Sequence, residues 1–179
     1  GLAGNLFEFY PPIRDSGFFG GSSSYSSLLE DFPYALNSLV PLAAATRDPR
    51  LLQLCDDFVG RVLDARSSDG WLGPDEWPDA ELEGDARRVG LLSSSIWARI
   101  PLLQALVQYS ELATNRESSR RPTACRAFAA VEAFTLALAR RLDAGRCILI
   151  AWSAARWSDL ILTLNWLVAH PSGPGGLCQ

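Results

Sequence analysis

The stretch FPYALNSLVPLAAATRDPRLLQLCDDFVGRV, residues 32–62, decides the fold class. Its first half repeats apolar side chains at the i, i+4, i+7, i+8 spacing of one helix face. These positions are Phe32, Leu36, Leu39, Val40 and Ala43. The segment TRDPR then interrupts the pattern, with Asp48 as a predicted N-cap and Pro49 at the first position of a second helix. Because so few residues join the two helices, we expect them to pack antiparallel as an αα-hairpin.

The same periodicity continues through the rest of the chain. The second helix has its apolar stripe at Leu51, Leu54, Cys55, Phe58, Val59 and Val62. A loop follows over residues 67–92, and Ser93–Ser95 offer N-caps for a third helix, which tolerates Pro101 near its start. Thr123 begins a fourth helix, and a connector through Gly145 leads to a fifth. The residues predicted to face inward on these three helices are Ile96, Ile100, Leu103, Leu106 and Val107; Phe128, Val131, Phe134, Leu138 and Leu142; and Trp157, Leu160, Ile161, Leu164, Leu167 and Val168.

These patterns predict an all-α protein built of repeated hairpins. The one β-like run, RCILIAW at residues 146–152, is too short to change that. We expect one domain over residues 1–179, with a loop-rich segment at 1–31, helical hairpins at 32–170 and an irregular tail at 171–179. Such hairpins form a bundle, a solenoid or a closed α/α toroid, and periodicity does not choose among them. The chain starts without methionine, and we expect it to be part of a longer one.

Composition and charge exclude several classes of function. Apolar residues make up 48% of the chain and charged residues 20%, which is typical of a globular protein and argues against disorder. The net charge of −4 gives no electrostatic reason to expect nucleic acid or an anionic membrane surface as a partner. No apolar run reaches the roughly 18 residues that a membrane span needs.

The four cysteines and the single histidine predict no metal or cofactor site. Cys55 and Cys125 fall on apolar helix faces, where a buried free thiol is the usual state. Cys147 and Cys178 complete the set, without a Cys-x-x-Cys pair, and their disulfide connectivity cannot be read from the sequence. His170 and Cys178 are too few ligands for a metal site.

Tryptophans and carboxylates are the best candidates for ligand binding. Large aromatic residues at helix ends usually close the core, but an exposed indole also stacks on the apolar face of a sugar ring. Acidic residues surround two tryptophans in SSDGWLGPDEW, residues 67–77, although spacing within one loop cannot establish the pair of carboxyl groups that a glycosidase needs. No residue is therefore predicted to be catalytic. The candidate sugar-contacting residues are Asp69, Trp71, Asp75, Trp97, Arg99, Trp152, Arg156, Trp157 and Asp159.

Five collinear segments resemble the β-L-arabinofuranosidase-like glycoside hydrolases, a family long labelled as a domain of unknown function. They are GLAGNLFEFY, FFGGSSSYSSLLEDFPYALNSLVPLAAATRDPRLL, DGWLGPDEW, WARIPLLQALVQYSELA and AWSAARWSDLILTLNWLVAHP, and they span Leu2 to Pro171. The resemblance implies an (α/α) six-hairpin toroid, of which this chain supplies the early hairpins. It also implies a carbohydrate ligand and an extracellular location. The chain departs from the family pattern at Ala35, Ser38 and Ser158.

The resemblance also bears on catalysis. Characterised members use a cysteine nucleophile held on zinc and a separate glutamate as acid/base. None of the four cysteines here matches those motifs, so zinc is implied only for a complete relative. We expect the isolated chain to be inactive and to need the rest of the toroid, or self-association, to cover its apolar helix faces. The alternative is a non-catalytic α-helical module for carbohydrate binding or protein interaction, and a weaker one is an α/α toroid of another chemistry.

Overall fold

Helices make up almost all of the regular structure. The computed structural model describes residues 9–21, 30–74, 96–114, 119–147, 151–176 and 178. These ranges contain no β-strand, and the all-α prediction is confirmed. The α-helices are α1 (Pro11–Arg14), α2 (Asp31–Thr46), α3 (Pro49–Asp64), α4 (Arg99–Thr114), α5 (Arg121–Asp143), α6 (Ala151–Ala155) and α7 (Trp157–Ala169), with 3-10 turns at Gly17–Phe19 and Pro174–Gly176.

The α2–α3 hairpin forms as its sequence predicts. Arg47 ends α2 in the left-handed conformation, with φ of 54°, and its N–H donates to the carbonyl of Ala43. Asp48 then caps α3, since its Oδ1 accepts a hydrogen bond from the backbone N–H of Arg50 at 2.8 Å. Pro49 is the first residue of α3, where its missing N–H costs nothing. The turn is therefore two residues long, and α2 and α3 pack against each other.

The helices form two layers. Helix α4 packs against α2 on one side and α7 on the other, so these three helices make one layer. Helices α3 and α5 pack against each other and make the second layer, each beside its own hairpin partner. Alternation of this kind is typical of stacked αα-hairpins, and it occurs in four-helix bundles as well.

An aromatic cluster closes the core beside the first hairpin. The ring of Phe19 meets Phe32 edge to face at 4.4 Å between centroids, and Phe32 meets Phe58 in the same way at 5.4 Å. Phe18 lies 6.0 Å from Phe32 and is fully buried. The 3-10 turn that precedes α2 is thus packed against both α2 and α3 by its own side chains.

The predicted start of one further helix, α5, can be compared with the structure. Helix α5 begins at Arg121 rather than at the predicted Thr123, because Pro122 occupies its first turn and suits that position. The predicted N-caps Ser93–Ser95 lie outside the described residues. Pro101 is the third residue of α4, within the two turns where proline is tolerated.

Half of the inward face predicted for α7 is confirmed, because Leu160, Leu164 and Leu167 pack against the core, and half is wrong. Leu160 is buried, but Trp157, Ile161 and Val168 are 61%, 42% and 81% exposed. Among the described helices, only α4 and the short α6 make substantial contact with α7. One side of the helix is buried on α4, and several apolar residues on its other side are exposed.

A disulfide corrects the prediction for Cys125. Cys125, in the first turns of α5, is bonded to Cys178 in the tail, whereas the sequence favoured a free thiol. Cys55 is a buried thiol outside any disulfide, as predicted, and Cys147 is also buried and not in a disulfide. The bond links residues 53 positions apart, and closing a loop of this size stabilises a fold by about 4 kcal/mol in the chain-entropy account.

Candidate functional site

The starts of α2, α4 and α7 meet at one end of their layer. Glu30 precedes α2, Trp97 lies just before α4, and Arg156 immediately precedes α7. Tyr34 and Asp159 stand in the first turns of α2 and α7. We call these five residues the helix-start cluster. Three of its members, Trp97, Arg156 and Asp159, were predicted as sugar-contacting residues.

Arg156 lies at the centre of the helix-start cluster. Its guanidinium carbon is 4.9 Å from the ring centroid of Tyr34 and 5.1 Å from that of Trp97. The same group donates to the Tyr34 hydroxyl and, at 2.8 Å, to Oδ2 of Asp159. Cation–π contacts and an ion pair therefore fix one side chain against two helices of the layer.

Glu30 closes the other side of the helix-start cluster. Its Oε2 accepts a hydrogen bond from the indole N–H of Trp97 at 2.8 Å. Its second carboxylate oxygen accepts no hydrogen bond from any described residue. The Arg156 and Asp159 side chains are 24% and 29% exposed, so the cluster is open to solvent at its rim. A hydroxyl-rich ligand would find ordered acceptors there beside aromatic rings.

Trp157 adds an exposed aromatic face next to the helix-start cluster. It directly follows Arg156, and its side chain is 61% exposed. No hydrogen bond or ring contact ties it to another described residue. Its indole face is free to stack on a ligand.

Trp71 was predicted to contact sugar, and the structure shows that its indole is not accessible. It is 1% exposed and stacks on Phe134 with ring centroids 4.8 Å apart. The guanidinium groups of Arg99 and Arg141 lie 4.5 Å and 4.0 Å from its ring centroid. Arg99, another predicted site residue, is 2% exposed. Both side chains hold the protein together and have no open face for a ligand.

Asp69 anchors the same loop. It accepts hydrogen bonds from the Ser67 hydroxyl, from the Trp71 backbone N–H at 3.0 Å and from Arg141 at 2.9 Å. In that order of importance, these donors hold the pKa of Asp69 well below its usual range. The carboxylate is therefore committed to fixing the loop rather than to proton transfer.

The backbone of the loop that contains Asp69 and Trp71 packs directly against α5. Gly70 has φ of +98°, and a Cβ there would lie 2.7 Å from the carbonyl oxygen of Ala133. Arg99 donates to the carbonyl oxygens of Leu72, at 2.7 Å, and of Pro74. The described part of SSDGWLGPDEW, residues 67–74, therefore packs against the core and is held there by hydrogen bonds.

Several predicted residues cannot be placed. Asp75 lies outside the described residues, as do the neighbouring Glu76, Trp77 and Asp79. Trp152 belongs to α6, but its side chain is outside the described part. Of the nine candidates, the structure brings Trp97, Arg156 and Asp159 together, with Trp157 beside them.

Two residues of the helix-start cluster were missed. Tyr34 stands two positions after Phe32, off the apolar stripe of α2, and Glu30 precedes the first periodic residue. An aromatic residue off the apolar face was the available signal for Tyr34. The residues around Glu30 in the sequence give no sign that it pairs with Trp97, which lies 67 residues away.

The described residues hold no group of three side chains that could ligate a metal ion together. Cys178 is committed to its disulfide, and the ring Nδ1 of His170 lies 2.8 Å from the carbonyl oxygen of Trp166. No helix in the described ranges has both the length and the apolar character for crossing a bilayer.

No family model matches this sequence, and searches of curated proteins and of solved structures find no match either.

Proposed function

We propose that the chain is a glycoside-hydrolase-like helical domain, part of an (α/α) toroid, that recognises carbohydrate at the helix-start cluster. The observation that carries this proposal is the convergence of Trp97, Arg156 and Asp159 from separate parts of the chain. Collinear resemblance to the β-L-arabinofuranosidase-like family supports the choice of ligand. The two-layer alternation of the helices is compatible with the toroid.

The chemistry of the cluster favours sugar hydroxyls. Glu30 offers a carboxylate oxygen that no described residue engages, and Asp159 keeps an exposed edge beside its ion pair. Trp157 supplies an aromatic face for the apolar side of a sugar ring. Because Arg156 fixes the geometry of both helices, these groups are held in place before a ligand arrives, which lowers the entropic cost of binding.

The proposed role is binding without hydrolysis. The resemblance implies a zinc-bound cysteine thiolate as nucleophile. Cys125 and Cys178 are bonded to each other, and Cys55 and Cys147 are buried. Burial raises the pKa of Cys55 to about 12, which disfavours the thiolate. The cysteines of this chain therefore do not supply the catalytic group.

A titration followed by NMR tests the proposal. Methyl β-L-arabinofuranoside should shift the indole N–H resonance of Trp97 in a saturable manner, whereas methyl α-D-glucopyranoside should shift it less. Trp157→Ala should weaken the affinity about fivefold or more, a loss of roughly 1 kcal/mol. Ile161→Ala, one helical turn later on the same exposed side, is the matched control and should bind as the parent does. No response to either sugar up to about 50 mM, a binding free energy weaker than about −2 kcal/mol, would overturn the proposal.

The second candidate is an α-helical interaction module. The observation that favours it is the uncovered apolar side of α7, where Trp157, Ile161, Leu162 and Val168 are exposed. Large exposed apolar patches usually mark interaction sites. The same face would also pack against the remainder of a toroid.

The oligomeric state of the isolated chain, measured by light scattering after size-exclusion chromatography, tests whether the exposed side of α7 is an interaction surface. We expect self-association of the isolated chain at micromolar concentration, and Ile161→Glu with Val168→Glu should reduce it. A monodisperse monomer that melts cooperatively would show that α7 needs no cover, and would count against both the interaction module and the partial toroid.

A further inference from the structure

A cleft of about 520 Å³ opens at the opposite end of α2 and α4 from the helix-start cluster. It lies between the last turns of α2 and α4 and the first turns of α3. Its apolar surface comes from Val40, Leu52 and Leu112, and its volume falls in the range of small-molecule pockets. No aromatic ring is among the described lining residues, so the cleft does not offer the stacking surface of a sugar site.

Arg120 is held in place at the wall of this cleft. Its Nε donates to both carboxylate oxygens of Asp56, at 2.8 Å and 2.9 Å. Asp56 also accepts from the Tyr109 hydroxyl at 2.8 Å. Burial and this carboxylate together raise the pKa of Tyr109, which therefore stays a donor. The guanidinium of Arg120 is thus oriented by a chain of buried and half-buried partners, and its charge is balanced by Asp56.

Arg47 brings a second guanidinium to the cleft. It is the one described non-glycine residue with positive φ, 54°, and it makes no ion pair with a described residue. Glycine would occupy this left-handed position at the end of α2 without strain. The strained backbone fixes where the Arg47 side chain leaves the helix, and such strain is concentrated at functional positions.

Glu111 and Gln108 add acceptors to the same cleft. Glu111 accepts from the indole N–H of Trp166 at 2.7 Å, which positions its carboxylate. The amide oxygen of Gln108 is buried and has no hydrogen-bond partner among the described residues. Buried acceptors in proteins usually have a hydrogen-bond partner, and a donor group of a bound ligand would provide one for this oxygen. Gln108 is also one of the residues that line the cleft.

We propose that this cleft binds a zwitterion with an aliphatic body, either a free amino acid or a short peptide. The ligand carboxylate would pair with Arg47, which makes no ion pair with a described residue, and the ammonium group would donate to Glu111 and Gln108. The aliphatic side chain would lie against Val40 and Leu52. Arginine suits a carboxylate because its donors match both oxygens. The cleft presents the carboxylate of Glu111 as well as the guanidinium of Arg47, so it suits a zwitterion better than a simple anion.

Calorimetric titration of the whole chain with three matched ligands tests the charges. L-leucine should bind, whereas 4-methylpentanoate, which lacks the ammonium group, and isoamylamine, which lacks the carboxylate, should each bind about tenfold more weakly. Leucyl-leucine distinguishes a peptide from a free amino acid by which of the two binds more tightly. Absence of heat and of NMR shifts with both leucine and leucyl-leucine would overturn the proposal.

The decisive variant is Arg47→Gly. It removes the guanidinium and also relieves the positive φ, so the protein should melt at the same or a higher temperature while leucine affinity falls about tenfold. Arg47→Asn, which also tolerates this conformation, should behave alike. Arg50→Ala is the matched control, because Arg50 pairs with Asp48 outside the cleft. Equal binding by Arg47→Gly, or an equal loss in Arg50→Ala, would refute a specific role for Arg47. The arabinofuranoside response should not change in Arg47→Gly, which separates this site from the helix-start cluster.

Discussion

Arg156 donates a hydrogen bond to the hydroxyl of Tyr34, a residue 122 positions earlier in the chain. The contact joins the start of α7 to the first turns of α2, the two outer helices of their layer. Trp97, which precedes the central helix α4, packs against the same guanidinium. The helix-start cluster is therefore a product of tertiary structure, and its integrity should be coupled to the packing of all three helices.

Tyr34→Phe should destabilise the protein by about 1 kcal/mol and also weaken sugar binding. The change removes the hydroxyl that accepts from Arg156 but keeps the ring under the guanidinium, so only the hydrogen bond is lost. Urea unfolding measures the first effect and the NMR titration measures the second. Tyr10→Phe is the control, because the Tyr10 hydroxyl donates to Asp31 at 3.2 Å outside the cluster. That variant should lose a similar amount of stability and keep its affinity. Unchanged stability and affinity in Tyr34→Phe would mean that the contact does not hold the cluster in place.

Two tryptophans that look alike in sequence should respond differently to truncation. Trp71→Ala should cost about 3–5 kcal/mol of unfolding free energy, because it empties a site packed by Phe134, Arg99 and Arg141. Trp157→Ala should change stability by less than about 0.5 kcal/mol, because its side chain is 61% exposed. Denaturant midpoints of both variants provide the comparison. Equal losses would contradict the assignment of Trp71 to the core and of Trp157 to the surface.

The local sequence predicted the α2–α3 hairpin correctly. Asp48 and Pro49 start α3 as expected because capping depends on neighbouring residues alone. Burial of a tryptophan depends on partners far along the chain. Trp71 is covered by Phe134 and Arg141, while Trp157 remains 61% exposed. The exposure of Trp157, Ile161 and Val168 on α7 and the role of Asp69 in fixing its loop were missed for the same reason.

Stability should fall with acid in part through Asp69. Because hydrogen bonds from Ser67, Trp71 and Arg141 lower its pKa in the folded state, its contribution is fully present above its unfolded value of about 4 and is lost as the pH falls below that value. The difference in unfolding free energy between the parent and Asp69→Asn should therefore be constant above about pH 5 and shrink toward about pH 3. Urea titrations across this range measure it. Since the Asp69 side chain is 48% exposed, added salt should reduce the difference. A difference independent of pH would show that the carboxylate does not serve as a charged anchor.

The disulfide between Cys125 and Cys178 should be detectable by counting thiols. Unfolding without reductant should expose two thiols, those of Cys55 and Cys147, and prior reduction should expose four. Cys125→Ser and Cys178→Ser should each cost about 2–4 kcal/mol, because either change reopens the loop that spans α5 to α7. The double variant should cost no more than one single variant, since both remove the same bond. Additive losses, or four thiols in the unreduced protein, would show that the two cysteines act separately. Disulfides persist in oxidising compartments, so two thiols in protein isolated from its natural source would also support the extracellular location that the resemblance implies.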